Sequence, residues 1–169
     1  MRRLIDTTGI FLVAAVAGGM LLWTPAAHAD TAEAELHPVD APTGRVSSRA
    51  VGYLRFTEGK KPDQVKILVH IQNLTVVQSE QPLMTESGFA TYQHGLRIRA
   101  TGDCSDTTAT DSQAGVLPDV GVRQDGNALV SMTANGITLS ELPGKSVVLY
   151  RGTNDAKRQI IACGVIEKD

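Results

Sequence analysis

Residues 95–105 read GLRIRATGDCS, a stretch that alternates apolar and basic side chains before a turn and a cysteine. Such alternation predicts a β-strand whose leucine, isoleucine and alanine face the core. Arg97 and Arg99 then share the opposite face, about 7 Å apart along the strand. The glycine and aspartate that follow are a turn signal, so the strand is expected to end before the cysteine.

Other short runs in the chain have the same β-rich character and are separated by turn signals. The predicted strands are Val46–Thr57, Gln64–Leu74, Gly95–Thr101, Val116–Arg123, Ala128–Ala134 and Lys145–Arg151. Asp125-Gly126 lies between two of them and predicts a tight hairpin. A brief helix is expected only at Thr138–Leu142. The spacing and the near absence of helical periodicity predict an all-β sandwich or barrel.

The N-terminal segment has the order of a secretory signal peptide. The chain opens with Met1-Arg2-Arg3, continues through an apolar segment from about Ile10 to Trp23, and reaches Ala27-His28-Ala29. A proline closes the apolar segment after roughly 14 residues, short of the roughly 20 that a membrane span needs. We therefore predict a signal peptide at 1–29, no membrane span in the mature chain, and a periplasmic or secreted bacterial protein.

The remaining sequence is long enough for one compact domain. Residues 30–44 are rich in alanine, glutamate, proline and aspartate without apolar periodicity, so they are expected to form a flexible tail before a β-domain at 45–169. The formal charge of the whole chain is −2 at pH 7. This balance gives no basis for nucleic-acid binding.

The chain contains two cysteines, Cys104 and Cys163. In an exported protein two lone cysteines most often pair, and closing a loop of about 60 residues stabilises by roughly 4 kcal/mol on the chain-entropy model. A catalytic or metal-binding pair is the alternative, although the two residues are far apart and form no Cys-x-x-Cys motif.

Five segments together resemble the copper/zinc superoxide dismutase family. That family has Gly-x-His-x-His followed by Gly-Asp-Cys-Ser, where this chain has Gly-x-Arg-x-Arg and the same Gly-Asp-Cys-Ser. The other similar segments are GVLPDV at 115–120, DGNALVS at 125–131, LSELPGKSVV at 139–148 and IACGVI at 161–166. The resemblance implies a Greek-key β-barrel with Cys104 and Cys163 in a structural disulfide.

The resemblance also indicates which residues occupy the family's metal-site positions. The copper ligands correspond to Arg97, Arg99 and Tyr150, and two of the zinc ligands to Gln113 and Val116. A guanidinium has five donors, no lone pair to offer and a permanent charge, so it cannot replace an imidazole as a copper ligand. The resemblance therefore implies that copper and zinc are absent and that no residue is catalytic.

The histidine count agrees with this interpretation. The family's dinuclear centre needs six imidazoles and a carboxylate, whereas the mature chain has only His37, His70 and His94. His37 lies in the predicted tail, and His94 corresponds to a structural histidine of the family. His70 alternates within a strand and is expected on its solvated face.

Two roles are open for the arginine pair. With Tyr150, Arg97 and Arg99 could bind a carboxylate, a phosphate or a sulfated sugar, since arginine pairs with such groups bidentately. Alternatively, the arginines are solvated or pair with acids of the same chain. The candidate acids are Glu80, Glu86 and Asp106.

The sequence favours an exported, non-catalytic superoxide dismutase-like domain that acts as a binding or structural module. One alternative is a weak or altered copper-dependent superoxide dismutase with a site near His70 or His94, and another is an anion or glycan-binding module. The expected partner is an exported protein, a glycan or a small anion, and a homodimer stays open. The segment Val76–Gln93, without a family counterpart, is a lid, a partner-binding loop or only a surface excursion.

Overall fold

The computed structural model describes residues 30–40, 43–75, 82–85, 88, 90–105, 111–153 and 159–169, with the backbone alone for 111–116. The predicted signal peptide at 1–29 lies outside these residues. Within them, no helix is long and apolar enough to cross a membrane.

The described residues form β-strands and one 3-10 helix, which confirms the all-β prediction. The strands are β1 Thr31–Asp40, β2 Arg45–Val46, β3 Gly52–Glu58, β4 Gln64–Ile71, β5 Leu83–Met84, β6 Ala90–His94, β7 Leu96–Arg99, β8 Asp111–Val116, β9 Val120–Arg123, β10 Ala128–Asn135, β11 Ser146–Tyr150 and β12 Ile160–Lys168. The 3-10 helix is Leu139–Glu141, within the segment expected to be briefly helical.

Antiparallel pairing joins most of these strands into one curled sheet in the order β10-β4-β3-β1-β12-β11-β7-β8, with β2 attached to β1. The strands β5, β6 and β9 form a second, smaller sheet. The inward side chains of both sheets form the main core. Burial of their apolar surface favours folding by about 25 cal/mol per Å². The largest members of the main core include Leu36, Leu54, Phe56, Ile67, Leu96, Ile98, Leu149 and Ile166.

The N-terminal segment corrects one sequence prediction. Residues 31–40 were expected to be a flexible tail, but they form β1, which pairs with β3 on one edge and β12 on the other. Ala32, Ala34 and Leu36 alternate into the core, and the residues between them face outward. The compact domain therefore begins at Thr31 and not near residue 45.

The turn at Asp125-Gly126 is present, but the predicted hairpin is wrong. Arg123 N donates to Asn127 O at 2.9 Å and Gly126 N donates to Arg123 O at 2.9 Å, which closes the turn. Beyond the turn, β9 pairs with β6 and β10 pairs with β4, so the connection passes from one sheet to the other. Gly126 has φ +77°, and a Cβ at this position would collide with the Leu74 carbonyl.

Two other predicted segments are partly as expected. The run Val46–Thr57 is divided between β2 and β3 rather than forming one strand. The segment Val76–Gln93 contributes β5 and most of β6 to the small sheet. Its role as a lid, a partner-binding loop or only a surface excursion stays open.

Candidate functional site: the Arg97 face

Both arginines lie on the outer side of β7, beside the neighbouring strand β11. In the antiparallel register Arg97 is opposite Val148 and Arg99 is opposite Ser146, and residues opposite each other share a face. Alternation brings Tyr150 to the same side. We call this surface the Arg97 face; its members are Arg97, Arg99, Ser146, Val148 and Tyr150.

The opposite side of the same strands belongs to the main core. Leu96 and Ile98 are buried there, as the alternation predicted. Ala100 was also expected in the core, but it is exposed because β7 ends at Arg99.

Arg97 is held by main-chain carbonyls. Its Nη1 donates to Leu96 O at 2.7 Å and to Leu117 O at 3.3 Å. The same Nη1 lies 3.6 Å from Oδ1 of Asp119, and the Arg97 side chain is only 11 % exposed. The guanidinium thus links β7 to the segment that leads from β8 into β9.

Arg99 is more deeply buried than Arg97. The residue has 0 % of its surface exposed and is the largest fully buried side chain among the described residues. Opposite it, Ser146 is also fully buried, and its hydroxyl donates to Thr101 O at 2.7 Å. A solvated Arg99, one of the sequence-based alternatives, is therefore wrong.

The remainder of the Arg97 face is apolar. Val148 and Tyr150 pack in a second, smaller core cluster with Val39, Ile160 and Cys163, against which Cys104 also packs. This cluster lies on the outer side of β11 and β12, so the Arg97 face is part of a second core layer.

The disulfide between Cys104 and Cys163 confirms the predicted pairing. The two Sγ atoms are 2.05 Å apart and the two Cα atoms 5.7 Å apart. Cys163 is opposite Val148 on one side and opposite His37 on the other. The disulfide therefore joins the turn after β7 to the strand that borders the Arg97 face.

His94 contacts the end of the Arg97 face at Tyr150. Its Nδ1 lies 3.1 Å from the carbonyl oxygen of Tyr150. A carbonyl only accepts hydrogen bonds, so this ring nitrogen carries the proton. The contact fits the structural role that the sequence gave to His94.

The other two histidines are not members of the Arg97 face, although His37 lies in the same cross-strand row as Cys163 and Val148. His37 was expected in a flexible tail, but it lies in β1, where its Nε2 is 3.7 Å from Oε2 of Glu35. His70 is half-buried on the outer side of β4, as expected; Gln72 Nε2 donates to its Nε2 at 2.9 Å, and its ring meets that of Tyr53 edge-on at 5.1 Å.

The zinc-associated positions are only partly described. Val116 is opposite Arg97 in the register of β7 and β8, so the structure brings these two predicted positions together. Gln113 also lies in β8, where only the backbone is described. The candidate acids Glu80, Glu86 and Asp106 lie outside the described residues.

Asp119 is a partner of Arg97 that the sequence pattern did not indicate. It belongs to the segment GVLPDV, and its carboxylate lies beside the guanidinium. Asp119 lies two residues after Leu117, whose carbonyl also binds Arg97. This position indicates a partner for Arg97 only when the register of β7 is known.

Comparison with known proteins identifies the fold. No family model and no curated protein matches the chain. Among solved structures, the chain is similar to the Cu/Zn superoxide dismutase from Brucella abortus, with a TM-score of 0.55 and 16 % sequence identity over 81 % of this chain and 99 % of that chain. This chain has a superoxide dismutase-like fold.

The residues of the Arg97 face do not fit a copper ion. Copper takes imidazole, thiolate or carboxylate ligands, and this face offers two guanidinium groups, a hydroxyl, a valine and a phenol. Across the described parts of the chain, no group of three or more histidine, cysteine, aspartate or glutamate side chains is placed to hold a metal ion.

Proposed function

We propose that this chain is an exported, non-catalytic superoxide dismutase-like domain that acts as a binding or structural module. The observation that carries the proposal is the placement of Arg97 and Arg99: both lie on one covered face, at the positions that the sequence resemblance assigns to copper ligands. A permanent cation offers no lone pair and repels a metal ion. At these two positions, groups that repel a metal ion thus stand in place of copper ligands.

The arginines act mainly within the fold. Arg97 donates hydrogen bonds to main-chain carbonyls of the same chain, and Arg99 has no exposed surface. An anion from solution would have to displace these contacts, which disfavours Arg97, Arg99 and Tyr150 as an anion or glycan site. A copper site at His94 lacks further ligands among the described residues, where no group of three or more histidine, cysteine, aspartate or glutamate side chains could hold a metal ion.

Export is supported by two features of the molecule. A disulfide persists mainly in oxidising compartments, and Cys104 and Cys163 form one. The first strand begins at Thr31, two residues beyond the predicted cleavage point, so removal of 1–29 leaves the described domain whole. We expect the periplasmic protein to begin at Asp30, which N-terminal sequencing checks.

A dismutase assay tests the proposal. The full chain is expressed with export to the bacterial periplasm, purified, and exposed to copper and zinc beside a Cu/Zn superoxide dismutase treated in the same way. We expect no superoxide turnover above that of the free metal at equal concentration. Turnover that scales with protein concentration and survives removal of loose metal by a chelator would overturn the non-catalytic assignment.

The anion-binding alternative needs a separate measurement. We expect R97S/R99S to lower the melting temperature, because it removes internal contacts. If the double variant keeps the melting temperature and loses binding to heparin or inorganic phosphate, the face is an anion site and the structural assignment is wrong.

A further inference from the structure

A second concave site lies away from the Arg97 face and shares no residue with it. It is a cavity of about 500 Å³ between the start of β1, the turn joining β3 to β4, the 3-10 helix and the end of β12. This volume is in the range of about 300–1,000 Å³ that small-molecule sites occupy.

Part of the cavity lining is apolar. Ala32 and Leu139, both buried, and the rings of Pro62 and Pro143 contribute to its lining. Such a lining binds the hydrocarbon part of a ligand by removing it from water.

The lining carries one net positive charge. Three lysines, Lys60, Lys61 and Lys168, line the cavity, and the acids that share it are Asp30 and Glu58. Lys168 Nζ lies 3.2 Å from Oδ1 of Asp30, so this pair offsets its own charge. On the side formed by the turn, Glu58 offsets one of the adjacent Lys60 and Lys61, which leaves one net positive charge.

The backbone that carries these two lysines is preformed. Gly59 N donates to Gln64 O at 2.7 Å, and Lys60 N donates to Oε1 of Gln64 at 3.0 Å. Gln64 is held in turn by Asn135, since its Nε2 donates to Oδ1 of that residue at 2.8 Å. A fixed turn lowers the ordering cost of binding at its lysines.

From the apolar part of the lining and the two lysines of the turn we propose that this cavity binds a small amphiphilic anion: an aromatic or aliphatic carboxylate or sulfonate. The hydrocarbon part lies against Leu139 and the prolines, and the acidic head reaches Lys60 and Lys61. The proposal does not depend on the absence of copper at the Arg97 face, so the two can fail separately.

Naphthalene-1-sulfonate is a suitable probe, with 1-naphthylmethylamine as the cationic counterpart of similar shape. Titration of the exported protein by calorimetry and by amide NMR shifts should show saturable one-to-one binding of the sulfonate. The shifted amides should cluster at the turn 59–64 and at 138–140. The affinity should fall as salt is raised, because the lysines are exposed to solvent. Absence of binding at millimolar sulfonate, or equal binding of the amine, would refute the proposal.

Variants locate the site. K60E/K61E should weaken sulfonate binding about tenfold, as expected for reversing two solvent-screened charges. K66E reverses one lysine charge on the exposed outer side of β4, outside the cavity, and should leave binding unchanged. S140W should block the cavity while retaining the lysines. If K60E/K61E folds poorly, sulfonate binding to S140W tests the proposal instead. Unchanged binding in S140W and in a folded K60E/K61E protein would place the ligand elsewhere.

Discussion

Replacing Arg97 by methionine tests whether this guanidinium is an internal clamp. Methionine keeps the apolar stem and removes the donors that reach Leu96 O at 2.7 Å and Leu117 O at 3.3 Å. Leu96 O retains a second donor, the amide of Leu117 at 3.2 Å. Leu117 O loses its contact with the guanidinium, and Asp119 loses a partner at 3.6 Å.

The cost of R97M follows from these contacts. A hydrogen bond from a charged group contributes about 1.5–3 kcal/mol. The longer bond and the partly exposed ion pair add less than about 1 kcal/mol together. We therefore expect R97M to lower the free energy of unfolding by about 2–3 kcal/mol, which at an m-value of about 1–3 kcal/mol per M moves the urea midpoint down by about 0.7–3 M.

The assay is equilibrium unfolding in urea followed by far-UV circular dichroism, without reductant so that the disulfide stays closed. Tryptophan fluorescence is unsuitable, because the chain's one tryptophan is Trp23, within the predicted signal peptide. R123M is the matched control: Arg123 is 51 % exposed and its Nε lies 3.7 Å from Oδ1 of Asp125, so its loss should cost less than about 1 kcal/mol. If R97M is no less stable than R123M, the clamp is refuted.

Two further predictions concern the disulfide and the turn between β9 and β10. C104S/C163S should lower the free energy of unfolding by about 4 kcal/mol, since the bond closes a loop of about 60 residues; an unchanged urea midpoint would contradict this. Hydrogen bonds from Asn127 and the nearby charge of Arg123 hold the pKa of Asp125 below its ordinary value of 3.8. The folded pKa is depressed, so this contribution to stability is present above the unfolded pKa and is lost as pH falls through the folded one. An NMR titration of the Asp125 carboxyl carbon that gives a pKa at or above 3.8 would show the reasoning to be wrong.

Much of the sheet could be predicted because inward and outward residues alternate clearly. In β7 the large apolar side chains of Leu96 and Ile98 mark the core side, and both are buried as expected. In β1 the inward positions are mainly Ala32 and Ala34, separated by glutamates, so the apolar signal was weak. Pairing with β3 and β12 on both edges overrides that weak local preference.

The candidate site was harder to predict because alternation assigns a side chain to a face and not to an environment. It placed Arg97 and Arg99 together correctly, yet it gave no indication that Arg99 is fully buried. That burial depends on tertiary packing, which one strand's sequence does not specify. The turn at Asp125-Gly126 shows the same limit, because its residues specify the reversal while distant strands β4 and β6 decide the pairing.

The copper content of the exported protein tests the central claim most directly. The full chain is expressed in copper- and zinc-supplemented cells, recovered from the periplasm, gel-filtered, and measured by inductively coupled plasma mass spectrometry without any later loading. Because Arg97 and Arg99 occupy the copper positions, we expect a copper and zinc content far below one ion per chain, equal to that of a metal-free control protein. Close to one tightly held copper per chain, lost when Arg97 and Tyr150 are substituted, would contradict the account.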